Sequence, residues 1–177
     1  MTIFPKTTAL ITGGSSGIGF EMARQMAAQK SRVIICGRSQ EKLEQTKKRV
    51  PELEIIRCDL TNTEDRSALS REIAQEHSSM NMLINNAGIT HRYLFEKADL
   101  LETTMTQEWK TNYLAPVLLI KQFLPQLIKN RGTIVNVTSG LVHAPLSIEP
   151  NYCATKAALH SMTQSLRFRL KDKGVKV

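Results

Sequence analysis

No two of the three cysteines, Cys36, Cys58 and Cys153, stand in a C-x-x-C spacing, and their number is odd. That spacing excludes a disulfide framework and a cysteine-built zinc site, and it fits a reducing compartment. No metal site is expected. The N-terminus lacks an apolar stretch of the length a secretory leader needs, since the run Ala9–Ile11 is short. The longest apolar run, around Leu114–Ile120, cannot span a bilayer. A cytoplasmic protein without a membrane span is the expectation. No nucleic-acid motif accompanies the net charge of +8. The basic residues are dispersed, and their short clusters, Lys47–Arg49 and Arg167–Lys176, fall near the ends of expected helices, where cations complement the dipole. A small anionic ligand accounts for part of the charge more simply than a nucleic-acid partner does.

The 177 residues, 41% hydrophobic and 23% charged, have the proportions of one globular domain with a real core. Thr8–Thr12 reads as a buried strand that runs into Gly13-Gly14-Ser15-Ser16-Gly17-Ile18-Gly19. Phe20, Met22, Ala23, Met26 and Ala27 then recur at helical spacing up to Lys30, and Arg32–Cys36 is the next strand. Strand, glycine turn, helix and strand make a βαβ unit. Glycine at such a turn supplies positive φ and lets backbone N–H groups approach a pyrophosphate at a helix N-terminus.

The alternation continues. Gln40–Val50 is a polar helix that Pro51 stops, and Glu54–Cys58 is a third strand. Asp59 after it is either a turn residue or a cap for the helix that begins near Thr63 and ends near His77. His77, among polar neighbours, is expected on the surface. Met82–Ile84 is a strand, His91–Leu101 a connection without periodicity, and Thr106–Asn130 one long helix apolar on two sides. Thr133–Thr138 is strand five. A helix follows from Asn151 through Lys173, Gly174 caps it, and Val175–Val177 begins a sixth strand. This order defines an α/β, doubly wound parallel sheet.

Ligands of such sheets bind at the C-terminal ends of the strands. There the second strand is followed by Gly37-Arg38-Ser39, with no carboxylate to repel a phosphate and a guanidinium to pair with one, which favours NADP over NAD. The fourth strand leads into Asn85-Asn86-Ala87-Gly88. Farther on, Tyr152 and Lys156 stand at helical i, i+4 spacing on one face, and a phenol beside an ammonium is suited to proton exchange. Between Ser139 and Tyr152, Leu141, Val142, Ala144, Pro145, Leu146 and Ile148 would line an apolar substrate wall, while His143 has no fixed role.

Three motifs, T-G-x-x-x-G-I-G from Thr12 to Gly19, N-N-A-G from Asn85 to Gly88 and Y-x-x-x-K at Tyr152 and Lys156, resemble the short-chain dehydrogenase/reductase family, in its shorter-chained branch. The resemblance implies a Rossmann-like three-layer domain over residues 1–177 with strand order 3-2-1-4-5. It places the cofactor against Gly13, Ser15, Ser16, Gly17, Ile18, Gly19, Asp59, Leu60, Asn86, Ala87 and Gly88, with Ser15 a second phosphate contact beside Arg38. It implies that Tyr152 is the general acid/base for a carbonyl or secondary alcohol and that Ser139 holds the substrate oxygen. Lys156 would bind the nicotinamide ribose and lower the tyrosine's pKa, and Asn112 would hold a water linked to Lys156. It further implies a homodimer or homotetramer paired through helices 106–130 and 151–173.

V-T-S-G-L with Y-C-A-T-K-A-A-L-H-S is similar to a subgroup associated with D-alanyl teichoic acid genes. Relatives continue past a sixth strand into a substrate-covering segment, roughly the last third of the domain. A longer native chain is therefore expected, since strand five would otherwise be an open sheet edge. The competing expectation, for this length of chain, is a cofactor-binding scaffold or sensor without turnover.

Overall fold

The computed structural model describes residues 7–97 and 101–177. Five parallel strands, β1 (Thr8–Thr12), β2 (Arg32–Gly37), β3 (Glu54–Arg57), β4 (Met82–Asn85) and β5 (Thr133–Asn136), form one sheet in the order β3-β2-β1-β4-β5. The order is the expected one. Parallel neighbours need crossovers, which α1 (Gly17–Ala28), α2 (Gln40–Arg49), α3 (Thr63–Glu76), α4 (Leu101–Trp109) and α5 (Ala115–Lys129) provide, and α6 (Pro150–Leu170) follows β5. The two-residue side-chain period sorts the strands into two cores. Ala9, Ile11, Val33 and Ile35 face α1 and α2 through Ala23, Met26 and Leu43. Leu10, Ile34, Ile56, Leu83 and Ile134 face α3, α5 and α6 through Leu69, Ile73, Leu119, Phe123 and Leu170.

Local chemistry sets most element ends. Ser39 caps α2 by accepting from Lys42 N, and Lys47, Lys48 and Arg49 occupy its last turn. Asn62 caps α3 by accepting from Asp65 N. Asp59 is therefore the turn residue of the two alternatives: its Oδ1 accepts from Thr61 N and Thr61 Oγ1. Gly174 ends α6 and its short 3₁₀ extension at φ +72°.

Four expectations need correction. The helix expected over 106–130 begins at Leu101 and is interrupted at Lys110–Leu114 by a π-helical turn. The expected connection 91–101 contains a 3₁₀ turn at Phe95–Lys97, and its residues 98–100 lie outside the described ones. His77 is buried, only 4% exposed. It stands at the C-cap of α3, where its carbonyl accepts from Met80 N and Gln126 Nε2, so the turn back to β4 is drawn beneath α5. The polar character of its neighbours did not carry that information. Strand five is shorter than expected, but Val137 N still donates to Asn85 O, and the outer edge of β5 is met by Val175–Val177. Ile134 N donates to Lys176 O and Lys176 N to Gly132 O, the start of the sixth strand's position.

Candidate active site

A cleft of about 520 Å³ opens at the C-terminal ends of β1 to β4. From the glycine turn it is lined by Gly13, Ser15, Ser16, Gly17 and Ile18, and from the β2 exit by Arg38. Asp59 and Leu60 after β3, and Asn86, Ala87 and Gly88 after β4, close its other sides. Gly19, expected with them, does not line the cleft. A Cβ there would stand 2.3 Å from Asn86 Nδ2 and 2.5 Å from Gly13 O, so its role is to let α1 close on the neighbouring turn. Gly17 has φ +55° and open space where a Cβ would be. Ser16 at the N-cap of α1 makes no side-chain cap, which leaves first-turn N–H groups free toward the cleft. A bare backbone turn, uncapped helix dipole and nearby guanidinium fit a dinucleotide's phosphates.

Thr12 holds the two turns together, a role the sequence reading did not assign. Its Oγ1 accepts from Asn86 N and Ala87 N, both at 3.0 Å, while Asn86 Nδ2 donates back to Thr12 O and Gly13 O. The signal was the threonine that opens the glycine motif. Lys42, Ser39 and Thr111 also line the cleft and were likewise not singled out. Lys42 stands in the first turn of α2, where helical period alone gives no hint that it turns toward a ligand.

Beside Gly88 at the wall of the cleft, Asn112 and Lys156 converge. A Cβ on Gly88 would lie 3.4 Å from both Asn112 Oδ1 and Lys156 Nζ. Asn112 is fully buried within the π-helical turn; it accepts from Ile89 N and donates to Ile89 O and Thr155 Oγ1. Lys156 is 3% exposed, and its Nζ donates to Val137 O at 2.8 Å. Burial pushes its ammonium down to about 8.

Tyr152, one turn before it, carries a phenol that burial raises above the ordinary value, while the Ser139 hydroxyl donating to it works the other way. The ammonium lies 5.7 Å from the ring centroid and is not among the influences that shift the phenol. Burial leads the influences on the phenol, and the ammonium's own hydrogen bond goes to Val137 O. Of the expected apolar wall, Leu141, Val142, Pro145 and Leu146 line a second cavity of about 450 Å³ with Cys153, Ala154 and Ala157 of α6; Ala144 and Ile148 do not. His143 packs edge-on against His160. Cys36, Cys58 and Cys153 are free and buried, with burial holding the Cys58 thiol up at about 12.

A doubly wound parallel sheet with a glycine-lined cleft at this edge is a dinucleotide-binding α/β architecture. The sequence pattern of the family described as short chain dehydrogenase matches residues 7–177. The "Uncharacterized oxidoreductase DltE" of Bacillus subtilis (strain 168) is 43% identical over 171 residues, which cover 96% of this chain and 68% of that protein. The 3-oxoacyl-[acyl-carrier-protein] reductase FabG of Rickettsia bellii (strain RML369-C) is 36% identical over 172 residues, 96% of this chain and 69% of that one. A crystal structure of a short-chain dehydrogenase from Streptomyces avermitilis superposes with a TM-score of 0.90 at 28% identity, covering 97% of this chain and 63% of that one. The chain belongs to the short-chain dehydrogenase family, whose members are nicotinamide-dependent oxidoreductases. The similarity to DltE agrees with the expected subgroup.

Proposed function

We propose that this protein is an NADP(H)-dependent oxidoreductase that transfers a hydride between nicotinamide and a carbonyl or secondary alcohol, with Tyr152 as general acid/base. The observation that carries the reading is the convergence of Ser139, Tyr152, Lys156 and Asn112 next to Gly88, which lines the cleft. When bound, the dinucleotide supplies the hydride; the protein binds, orients and handles the proton. The turn from Gly13 to Ile18 and the open N-terminus of α1 hold the pyrophosphate, with Asp59, Leu60, Asn86, Ala87 and Gly88 around the rest of the cofactor. Arg38, with Ser15 and Lys42, takes the ribose phosphate, which NADP has and NAD lacks.

The Tyr152 hydroxyl gives its proton to the substrate oxygen in reduction and takes it back in oxidation. Ser139 fixes that oxygen by donating a hydrogen bond. Lys156 binds the nicotinamide ribose, and its weakly held proton, together with Asn112 and a water, refills the phenol. The apolar cavity beside Leu141 and Val142 suits a carbonyl borne on an apolar chain, and the name of the Rickettsia relative, a 3-oxoacyl reductase, supports that class.

No helix among the described residues is long and apolar enough to cross a membrane, and the reading places the enzyme in the cytoplasm. It is a single domain over residues 1–177 that works as a homodimer or homotetramer. Titration with NADPH and with NADH, followed by nicotinamide fluorescence, tests the reading. Tighter binding of NADPH is expected; binding of neither would overturn it. NADPH binding without turnover of any carbonyl would instead leave a scaffold or sensor.

A further inference from the structure

Glu108, on α4, is fully buried, and both of its carboxylate oxygens are engaged. Oε1 accepts from His91 N at 2.6 Å and lies 3.1 Å from His91 Nδ1; Oε2 accepts from Asn151 Nδ2 at 2.6 Å. A buried acid is costly unless every lone pair finds a donor, so this one is kept by its partners. Their positions are informative. Glu108 stands one helical turn before Asn112, and the two residues do parallel things. Asn112 binds Ile89 in the segment after β4 and Thr155 on α6, while Glu108 binds His91 in that same segment and Asn151 on α6. Asn151 and Thr155 each immediately precede one of the reactive pair, Tyr152 and Lys156.

Three more contacts fasten the same seam. Tyr93 N donates to Ile148 O, Arg92 Nε donates to Glu149 Oε1 at 2.6 Å, and Asn151 N donates to the Tyr93 phenol.

We propose that Glu108 is a positioning residue for Tyr152: its carboxylate ties the segment after β4, through His91, to the first turn of α6, through Asn151, and so sets where the phenol stands. The proposal rests on the reading of Tyr152 as the acid/base. A carboxylate is used rather than an amide because both partners are donors and only an ion accepts on both oxygens without offering a donor. The same charge acts on the phenol. Besides burial and the Ser139 hydroxyl, Tyr152 feels Glu149 and Cys153 beside it and Glu108 from α4, each disfavouring phenolate. Facing these groups, Lys156 lies 5.7 Å from the ring centroid, Arg92 Nε stands 2.6 Å from Glu149 Oε1, and His91 Nδ1 stands 3.1 Å from Glu108 Oε1.

Glu108→Gln keeps the shape but sets an amide donor against one of the two donors and removes the charge. Tyrosinate absorbance, with Tyr152 isolated by subtracting Tyr152→Phe, is expected to show the Tyr152 midpoint lowered by about half a pH unit, and Glu108→Asp is expected to restore it. An unchanged midpoint would overturn the proposal. Should the Gln variant fail to fold, Asn151→Ala cuts the tie while keeping the charge. With NADPH and ethyl acetoacetate, kcat is then expected to fall about tenfold with KM for NADPH within about twofold. Wild-type kcat in that variant would sink the positioning role. Absence of turnover in the wild type would count against the oxidoreductase reading alone, since the Tyr152 midpoint needs no turnover.

Discussion

Tyr152, Lys156 and Arg38 each carry a consequence that can be read at the level of one side chain. Tyr152→Phe removes the exchangeable proton and little else. It is expected to lower kcat by about 10²–10⁴ while NADPH affinity, measured by fluorescence titration, stays within about twofold. Arg38→Asp exchanges the proposed phosphate partner for a charge suited to ribose hydroxyls. The NADPH-to-NADH affinity ratio is expected to fall by roughly two orders of magnitude; an unchanged ratio would refute the assignment of Arg38.

Lys156 shows what burying an ammonium costs in stability. The unfolded chain keeps the lysine proton to about 10.5, but the folded chain releases it near 8. Between those values the unfolded state binds more protons, so this group's contribution to stability rises with pH through the window, and its full penalty stands below 8. That penalty is of order 3 kcal/mol. Lys156→Met gives up the bond to Val137 O but escapes the penalty. It is expected to gain about 1–2 kcal/mol in urea unfolding at pH 7, a gain that shrinks toward pH 10. These three residues were legible from their spacing and position. Glu108 and Lys42 were not. A charged residue on a helix is by default solvated, and only the packing of α4 against α6 makes Glu108 an interior group.

Among the elements, the turns at the strand ends matter more than the strands. The Thr12 hydroxyl serves two backbone N–H groups of the turn after β4. Thr12→Val keeps the volume of this 1%-exposed side chain and orphans both donors. An unfolding free-energy loss of about 2–4 kcal/mol is expected by urea denaturation, with weaker NADPH binding because both cleft turns loosen. Starts of strands were legible to the residue, since β1, β2, β3, β4 and β5 all begin where the apolar pattern does. The π-helical turn at Lys110–Leu114 was not. Asn112 within it satisfies Ile89 on one side and Thr155 on the other, and both partners are distant in sequence. His77 is likewise met from a distant segment, since Gln126 of α5 donates to its carbonyl.

For the molecule as a whole, the outward sides of the helices leave large apolar groups in solvent. Trp109 is 38%, Leu114 39% and Phe168 82% exposed. The first two mark the α4–α5 segment and the third α6, the helices through which pairing was expected. Trp109→Asp with Leu114→Asp is expected to move the protein toward monomers in sedimentation velocity; an unchanged distribution would remove this face from the assembly.

By itself the sequence determined the layer architecture, the strand order implied by its family motifs, and which side chains crowd the ligand edge. The layers and the ligand edge follow from period, turn chemistry and short-range spacing, which act between near neighbours, while the strand order is what the family resemblance implies. The tertiary structure alone decided which way Lys156 points, how deeply the Tyr152 phenol is set, and that Glu108 belongs to the interior. Desolvation and hydrogen-bond satisfaction depend on what is packed around a group, and its neighbours here come from segments far along the chain.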